Sequence, residues 1–138
     1  MHIEPYLFFN GHCDEAIEFY RRALGAEVTM LMRFKESPDA GQIPPGSDDK
    51  VMHASLRIGD TTVLASDGHS TGTPSFQGFA LSITLPDESK VERYFAALAD
   101  ATPAEDCAHA DVGRAKREHS GRRHGGSWSR MFFATSPN

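Results

Sequence analysis

A chain of 138 residues, 39% hydrophobic and 24% charged, is long enough to bury most of what its unfolded form exposes and predicts one domain over 1–138. Its net charge of -5 argues against nucleic-acid or anionic-membrane partners and leaves small molecules or other proteins. Two cysteines, Cys13 and Cys107, with no CxxC and no zinc-like Cys/His spacing, exclude a disulfide framework or structural zinc site and imply free thiols in the cytoplasm.

The first residues, MHIEPYLFFNG, lack a basic region followed by a long apolar run, and no stretch approaches the roughly 18 apolar residues of a membrane span. A soluble, unprocessed chain is expected. Aromatic and β-branched residues predict a strand from about Ile3 to Phe9, with Pro5 at its start or on a sheet edge. In GHCDEAIEFYRRALGAE the residues Ala16, Ile17, Tyr20, Ala23 and Leu24 recur at helical spacing. Asp14 and Glu15 open the helix, Arg21 and Arg22 close it, and Gly25 stops it. AEVTMLMRFK alternates, with Val28, Met30, Met32 and Phe34 on one face and Thr29, Leu31 and Arg33 on the other.

The stretch Glu36 to Lys50 has three prolines, two glycines and four acids, which predicts a long loop, either a cover over a pocket or a mobile connection. VMHASLRI and TTVLASD are two strands joined by Gly59-Asp60. After the loop GHSTGTPSFQ, GFALSITLP reads as a strand and DESKVERYFAALAD as a helix. That helix starts near Asp87 or Ser89 and carries Val91, Tyr94, Phe95 and Leu98 on one stripe. The order is βαβββ in residues 1–76, then the opening of a second copy in 77–100, with one helical layer on one sheet.

Within the third strand Met52, Ala54, Leu56 and Ile58 belong under the helices, and Val51, His53, Ser55 and Arg57 face the other way. Tyr6 and Phe8 share a face with Glu4 on the first strand, and aromatic rings are poor candidates for full exposure. The polar side therefore predicts a cavity with apolar walls, into which His53, Ser66 and Asp67 look; the wet face of an antiparallel hairpin is the other reading. A single histidine is more often structural than metal-binding, and Glu4 and Asp67 are the carboxylates available to join His53. Cys13 in a first helical turn is open to two readings, an activated thiol or a small helix-start residue. No serine elbow, phosphate-binding glycine loop or paired catalytic carboxylates are present.

The runs PYLFFNGHCDEAIEFYRRALGAE, VMHASLRIGDTTVLASD and GFALSITLPDESKVERYFAALAD resemble the PhnB-like branch of the glyoxalase/bleomycin-resistance/extradiol-dioxygenase superfamily. Members of this branch often carry the label 3-demethylubiquinone-9 3-methyltransferase, although no methyl-donor site is evident in these residues. The resemblance implies an α+β fold of paired βαβββ modules whose curved mixed sheets enclose a cavity, commonly in a homodimer. It also implies lyase, dioxygenase or isomerase chemistry on a small oxygenated molecule, in some members with a divalent metal ion. Carried onto this chain, His53 would act as acid/base or metal ligand and Asp67 would orient it. Tyr6 and Phe8 would form walls, Ser55 and Ser66 would contact substrate, and Arg57 would attract an anionic group. The metal position of the first strand falls on Pro5, or on Glu4 with one residue of slip, and that of the fourth within Val63 to Ala65, where nothing ligates. A non-catalytic binder, as in the drug-sequestering members, is the competing expectation, and an inactive product is the third.

The last segment, 101–138, departs from that pattern. Residues 1 to 100 hold 8 Lys+Arg and 15 Asp+Glu, net -7, whereas 101 to 138 hold 6 and 4, net +2. Thr102 and Val112 are the only β-branched residues of 101–127, so three strands are not expected from it and the second module is expected to be incomplete after residue 100. Residues 108–118 read as a polar helix and SWSRMFFA as a short apolar docking segment. Natural divergence and a shifted reading frame are both open as origins. His109, His119 and His124, amid basic residues, are expected to be solvated.

Overall fold

The computed structural model describes residues 1–38, 43, 45–69, 80–85, 87–99, 115–123 and 126–134. It divides into two compact units, Met1–Pro74 and Ser75–Asn138. No described helix is long and apolar enough to cross a membrane.

The first unit begins with β1 (Tyr6–Phe8), shorter than the expected Ile3–Phe9 strand because Pro5 has no N–H to give a ladder. The carbonyl of Pro5 still accepts the Leu64 N–H at 2.9 Å. Helix α1 (Cys13–Leu24) has acids in its first turn and arginines in its last, favourable at the two ends of the helix dipole. It stops at Gly25, whose φ of 68° is cheap only for glycine; the N–H groups of Gly25 and Ala26 reach back to the carbonyls of Arg21 and Tyr20.

Strands β2 (Glu27–Arg33), β3 (Val51–Ile58) and β4 (Thr61–Ser66) complete an open, curved mixed sheet in the order β1-β4-β3-β2. Ile17, Phe19, Tyr20 and Leu24 of α1 are buried, as are Leu7, Ala54, Leu56, Val63 and Ala65 of the sheet. Burial of each large apolar side chain is worth about 1.5–3 kcal/mol over exposure. Alternation along the strands then sends Tyr6, Phe8, His53, Ser55 and Arg57 to the opposite face.

Two alternation readings are corrected. In β2 the register slips between Val28 and Met30, so that Val28 lies opposite Leu56 but Met30 opposite Ser55 and Met32 opposite His53. An extra residue at a bulge turns everything after it over, which puts the two methionines on the polar face and not with Val28. Phe34 leaves the strand altogether and is buried in a short 3-10 turn, Phe34–Glu36. Val51, expected on the open side, is fully buried at the start of β3, where its N–H and C=O both bond to Asp67.

The long loop is closed at its neck: Phe34 N–H donates to the Lys50 carbonyl at 3.1 Å and Lys35 N–H to that of Asp48 at 3.0 Å. Whether it covers a pocket falls on residues 39–42 and 44, outside the described ones.

The second unit contains β5 (Ala80–Leu85), α2 (Glu88–Ala99), β6 (Ala115–Arg123) and β7 (Gly126–Ala134), in a sheet ordered β5-β7-β6. Asp87 caps α2, its Oδ1 accepting from the Ser89 N–H at 2.9 Å and hydroxyl at 2.7 Å; Val91 and Leu98 are buried. Residues 115–118, expected within a polar helix, are instead strand. Cross-strand pairing with β7, from Ala115 opposite Phe133 to Arg123 opposite Gly126, supplies backbone hydrogen bonds that override weak local propensity. The segment expected to dock as an apolar piece is itself the central strand of this sheet.

Among the described residues, two strands follow the helix of the second unit and three that of the first. In the first unit the chain runs out, back and out again after α1, and β4 returns parallel to β1. In the second unit β7 lies antiparallel to β5. The α+β fold with a full βαβββ unit in the first unit is as expected, whereas the completeness of the second module falls on residues 100–114, outside the described ones.

Candidate functional site

The open face of the first sheet brings together groups distant in sequence. Tyr6 Oη lies 3.0 Å from His53 Nδ1 in a hydrogen bond, with the rings edge to face and centroids 5.6 Å apart. Phe8 leans on Tyr6 at a centroid distance of 4.7 Å. Tyr6 and Phe8 are 40% and 48% exposed and Met30 is 45% exposed, an apolar patch of the kind that marks a binding surface. His53 is half-buried. Ser55, two residues along β3, accepts a hydrogen bond from the Thr29 hydroxyl at 3.1 Å.

The Tyr6–His53 pair is chemically versatile. With the phenol donating to Nδ1, the other ring nitrogen of a neutral imidazole carries the proton and donates outward. With Nδ1–H donating to the phenol oxygen, the outward nitrogen accepts. The same pair can thus offer a ligand a donor or a base without a change of net charge.

Asp67 lies elsewhere. It is 2% exposed, and its oxygens accept three backbone N–H groups: Gly11 at 2.7 Å and Cys13 at 2.8 Å on Oδ1, Val51 at 2.8 Å on Oδ2. A carboxylate so engaged ties the start of α1 to the start of β3; the structure gives it these partners rather than the His53 ring. Ser66 is equally internal, its hydroxyl donating to the Val51 carbonyl and accepting from the Gly68 N–H at 2.9 Å. Arg57 is exposed and ion-paired with Glu27 on the neighbouring strand. Glu4 pairs with His2 at 2.9 Å.

Burial pushes the Cys13 thiol far above its usual range, reinforced by the charges of Asp67 and Asp14, so the thiol is protonated and inert rather than nucleophilic. Tyr20 is pushed up for the same first reason, burial, and then by Cys13.

Among the described residues no three His, Cys, Asp or Glu side chains cluster, Glu4 faces His2, and His53 uses one nitrogen on Tyr6. A protein-held divalent ion needs about three such donors converging. The described residues do not fit one.

A cavity of about 270 Å³ opens beside the loop neck, lined by Gly11, Asp14, Gly46, Asp48, Asp49, Lys50 and Asp67. Neither Tyr6 nor His53 lines it. Thr29, Met30 and Met32 were missed in the sequence as members of the open face, because the bulge that turns them leaves no mark in an otherwise regular alternation. Gly68 was also missed: at φ 66°, a Cβ there would meet Phe8 Cδ1 at 3.0 Å, so this glycine sets how the Phe8 ring lies.

A mixed β1-β4-β3-β2 sheet with one helix on one side and a histidine-bearing open face on the other defines an α+β protein of the glyoxalase type. Residues 1–111 match the family model described as 3-demethylubiquinone-9 3-methyltransferase. Protein YjdN of Escherichia coli (strain K12) is 35% identical over 107 residues, covering 72% of this chain and 73% of that protein. The chain belongs to this PhnB-like family. Among solved structures, protein PA1353 from Pseudomonas aeruginosa is similar at TM-score 0.66 and 28% identity, over 98% of this chain and 92% of that one. A putative 3-demethylubiquinone-9 3-methyltransferase, PhnB protein, from Bacillus cereus shares the fold at TM-score 0.51 and 21% identity, over 72% and 74% of the two chains.

Proposed function

We propose that this protein binds a small oxygenated molecule on the open face of its first sheet and moves a proton on it, within the lyase or isomerase part of the range that the resemblance implies. The observation that carries the reading is the 3.0 Å contact between Tyr6 Oη and His53 Nδ1, beside two half-exposed aromatic rings. The outward nitrogen of His53 takes a proton from a carbon next to a carbonyl, and Tyr6 steadies the imidazolium by accepting from Nδ1. Phe8 and Tyr6 provide the apolar wall that orients the ligand. The reading includes the cytoplasm, supported by Cys13 as a buried free thiol, and the homodimer that the resemblance implies.

Hydroxyacetone incubated with the purified chain in D2O tests this. Exchange at its carbon-bound hydrogens, followed by proton NMR, is expected to run faster than in buffer, to be lost in His53→Ala and slowed in Tyr6→Phe. Exchange that is equal in His53→Ala and the parent chain overturns the catalytic reading. The competing reading, a binder without chemistry, draws on the same exposed rings of Tyr6 and Phe8; ligand binding with no exchange would favour it.

A further inference from the structure

The charges of the open face decide what kind of molecule suits it, an inference that rests on the reading above and narrows it. Among the described residues, the arginines of this sheet are Arg33 and Arg57. Both are occupied: Arg33 grips both carboxylate oxygens of Asp14 at 3.0 Å, and Arg57 pairs with Glu27. Arg57 is also set apart: it lies four residues from His53 along one strand, a backbone separation of about 13 Å at roughly 3.3 Å per residue, and its guanidinium is turned onto Glu27 of the neighbouring strand. The imidazole is itself matched by a neutral phenol and not by a carboxylate.

What surrounds His53 is apolar or neutral: Tyr6, Phe8, Met32 opposite it in register, and Ser55 two residues away. A carboxylate or phosphate laid there would lose water without gaining a permanently charged partner such as arginine, at a cost that a neutral group avoids. Flat rings would find two aromatic faces and a thioether, and a single oxygen would find the amphoteric His53–Tyr6 pair. We propose that this patch takes an uncharged planar molecule carrying one hydroxyl or carbonyl oxygen, and discriminates against carboxylates and phosphates; the anion-attracting role expected of Arg57 does not belong to it.

The test compares two probes of one shape, 4-methylphenol and 4-methylbenzoate, titrated into the full chain labelled with 13C at the methionine methyls and 15N at histidine. The phenol is expected to shift the Met32 methyl and His53 ring signals. The benzoate should bind about tenfold or more weakly, as expected for an uncompensated charge. Tyr6→Phe should weaken the phenol severalfold, while Arg57→Ala should leave both affinities within twofold. Benzoate binding as tight as the phenol, or dependent on Arg57, overturns the inference. So does an absence of phenol-induced shifts at Met32 and His53. In either event His53-dependent hydroxyacetone exchange leaves the proposed function standing, whereas loss of that exchange as well removes both.

Discussion

Asp67 Oδ1 accepts the backbone N–H of Cys13 at 2.8 Å, joining the last residue of TTVLASD to the first of α1 across 54 positions of sequence. With Gly11 on the same oxygen and Val51 on the other, one buried carboxylate holds three segments in register. Asp67→Ala should therefore be costly, since the two buried N–H groups it orphans, those of Cys13 and Val51, lose about 1–3 kcal/mol each, for a total of about 2–6 kcal/mol. Asp67→Asn, which keeps one accepting oxygen, should lose less. Urea unfolding followed by circular dichroism measures both; a midpoint unchanged in Asp67→Ala contradicts the assignment.

Tyr6 and His53 should be energetically coupled. A double-mutant cycle of Tyr6→Phe and His53→Ala, read by thermal or urea unfolding, should return about 0.5–1.5 kcal/mol of interaction, the net worth of a typical hydrogen bond. The nitrogen shifts of the His53 ring should move in Tyr6→Phe while those of His2 stay in place. Additive single mutants with an unmoved His53 would show that the contact is not held in solution.

Alkaline pH should destabilise the fold in two steps. Cys13 has its folded value raised by burial, so above the unfolded value of about 8.5 the unfolded chain gives up a proton that the folded chain keeps. The unfolded state then binds fewer protons and stability falls as pH rises, by up to about 1.4 kcal/mol per pH unit. Tyr20 adds a second decline above about pH 10 for the same reason. In Cys13→Ala the first decline should vanish and the second persist. A Cys107→Ser chain should resist thiol reagents at pH 8 until denatured; rapid labelling of Cys13 in the native chain would refute its burial.

Gly68 should report on the site from behind. Gly68→Ala puts a Cβ about 3.0 Å from Phe8 Cδ1, on a backbone with φ 66°. The strain should cost about 1–2 kcal/mol and displace the Phe8 ring, changing ring-current shifts at Tyr6. Retained stability with unchanged Tyr6 signals would mean the ring packs elsewhere.

Local rules reached far along this chain. Helix α1 was legible because five apolar positions at 3.6-residue spacing, oriented charges and a terminal glycine all point one way, and α2 because Asp87 and Ser89 form a side-chain cap. Strands β3 and β4 were legible from alternation around Gly59-Asp60. β6 was not, since Ala115–Arg123 has hardly any strand-forming side chains and exists through its pairing with β7.

The face carrying the candidate site divides the same way. Alternation alone put His53, Ser55 and Arg57, together with the misassigned Val51, on one face of β3, and Tyr6 and Phe8 on one face of the first strand, because the pleat has a strict period of two. Only the tertiary structure decided which of them meet. Two strands separated by β4 bring the Tyr6 hydroxyl to His53, a bulge turns Met30 and Met32 to join them, and backbone amides from distant turns withdraw Asp67 and Ser66 into the interior. Periodicity is a property of neighbouring residues, written locally in the sequence. Strand order, register slips and the partners of a buried carboxylate depend on contacts among remote segments, which are settled only when the whole chain packs.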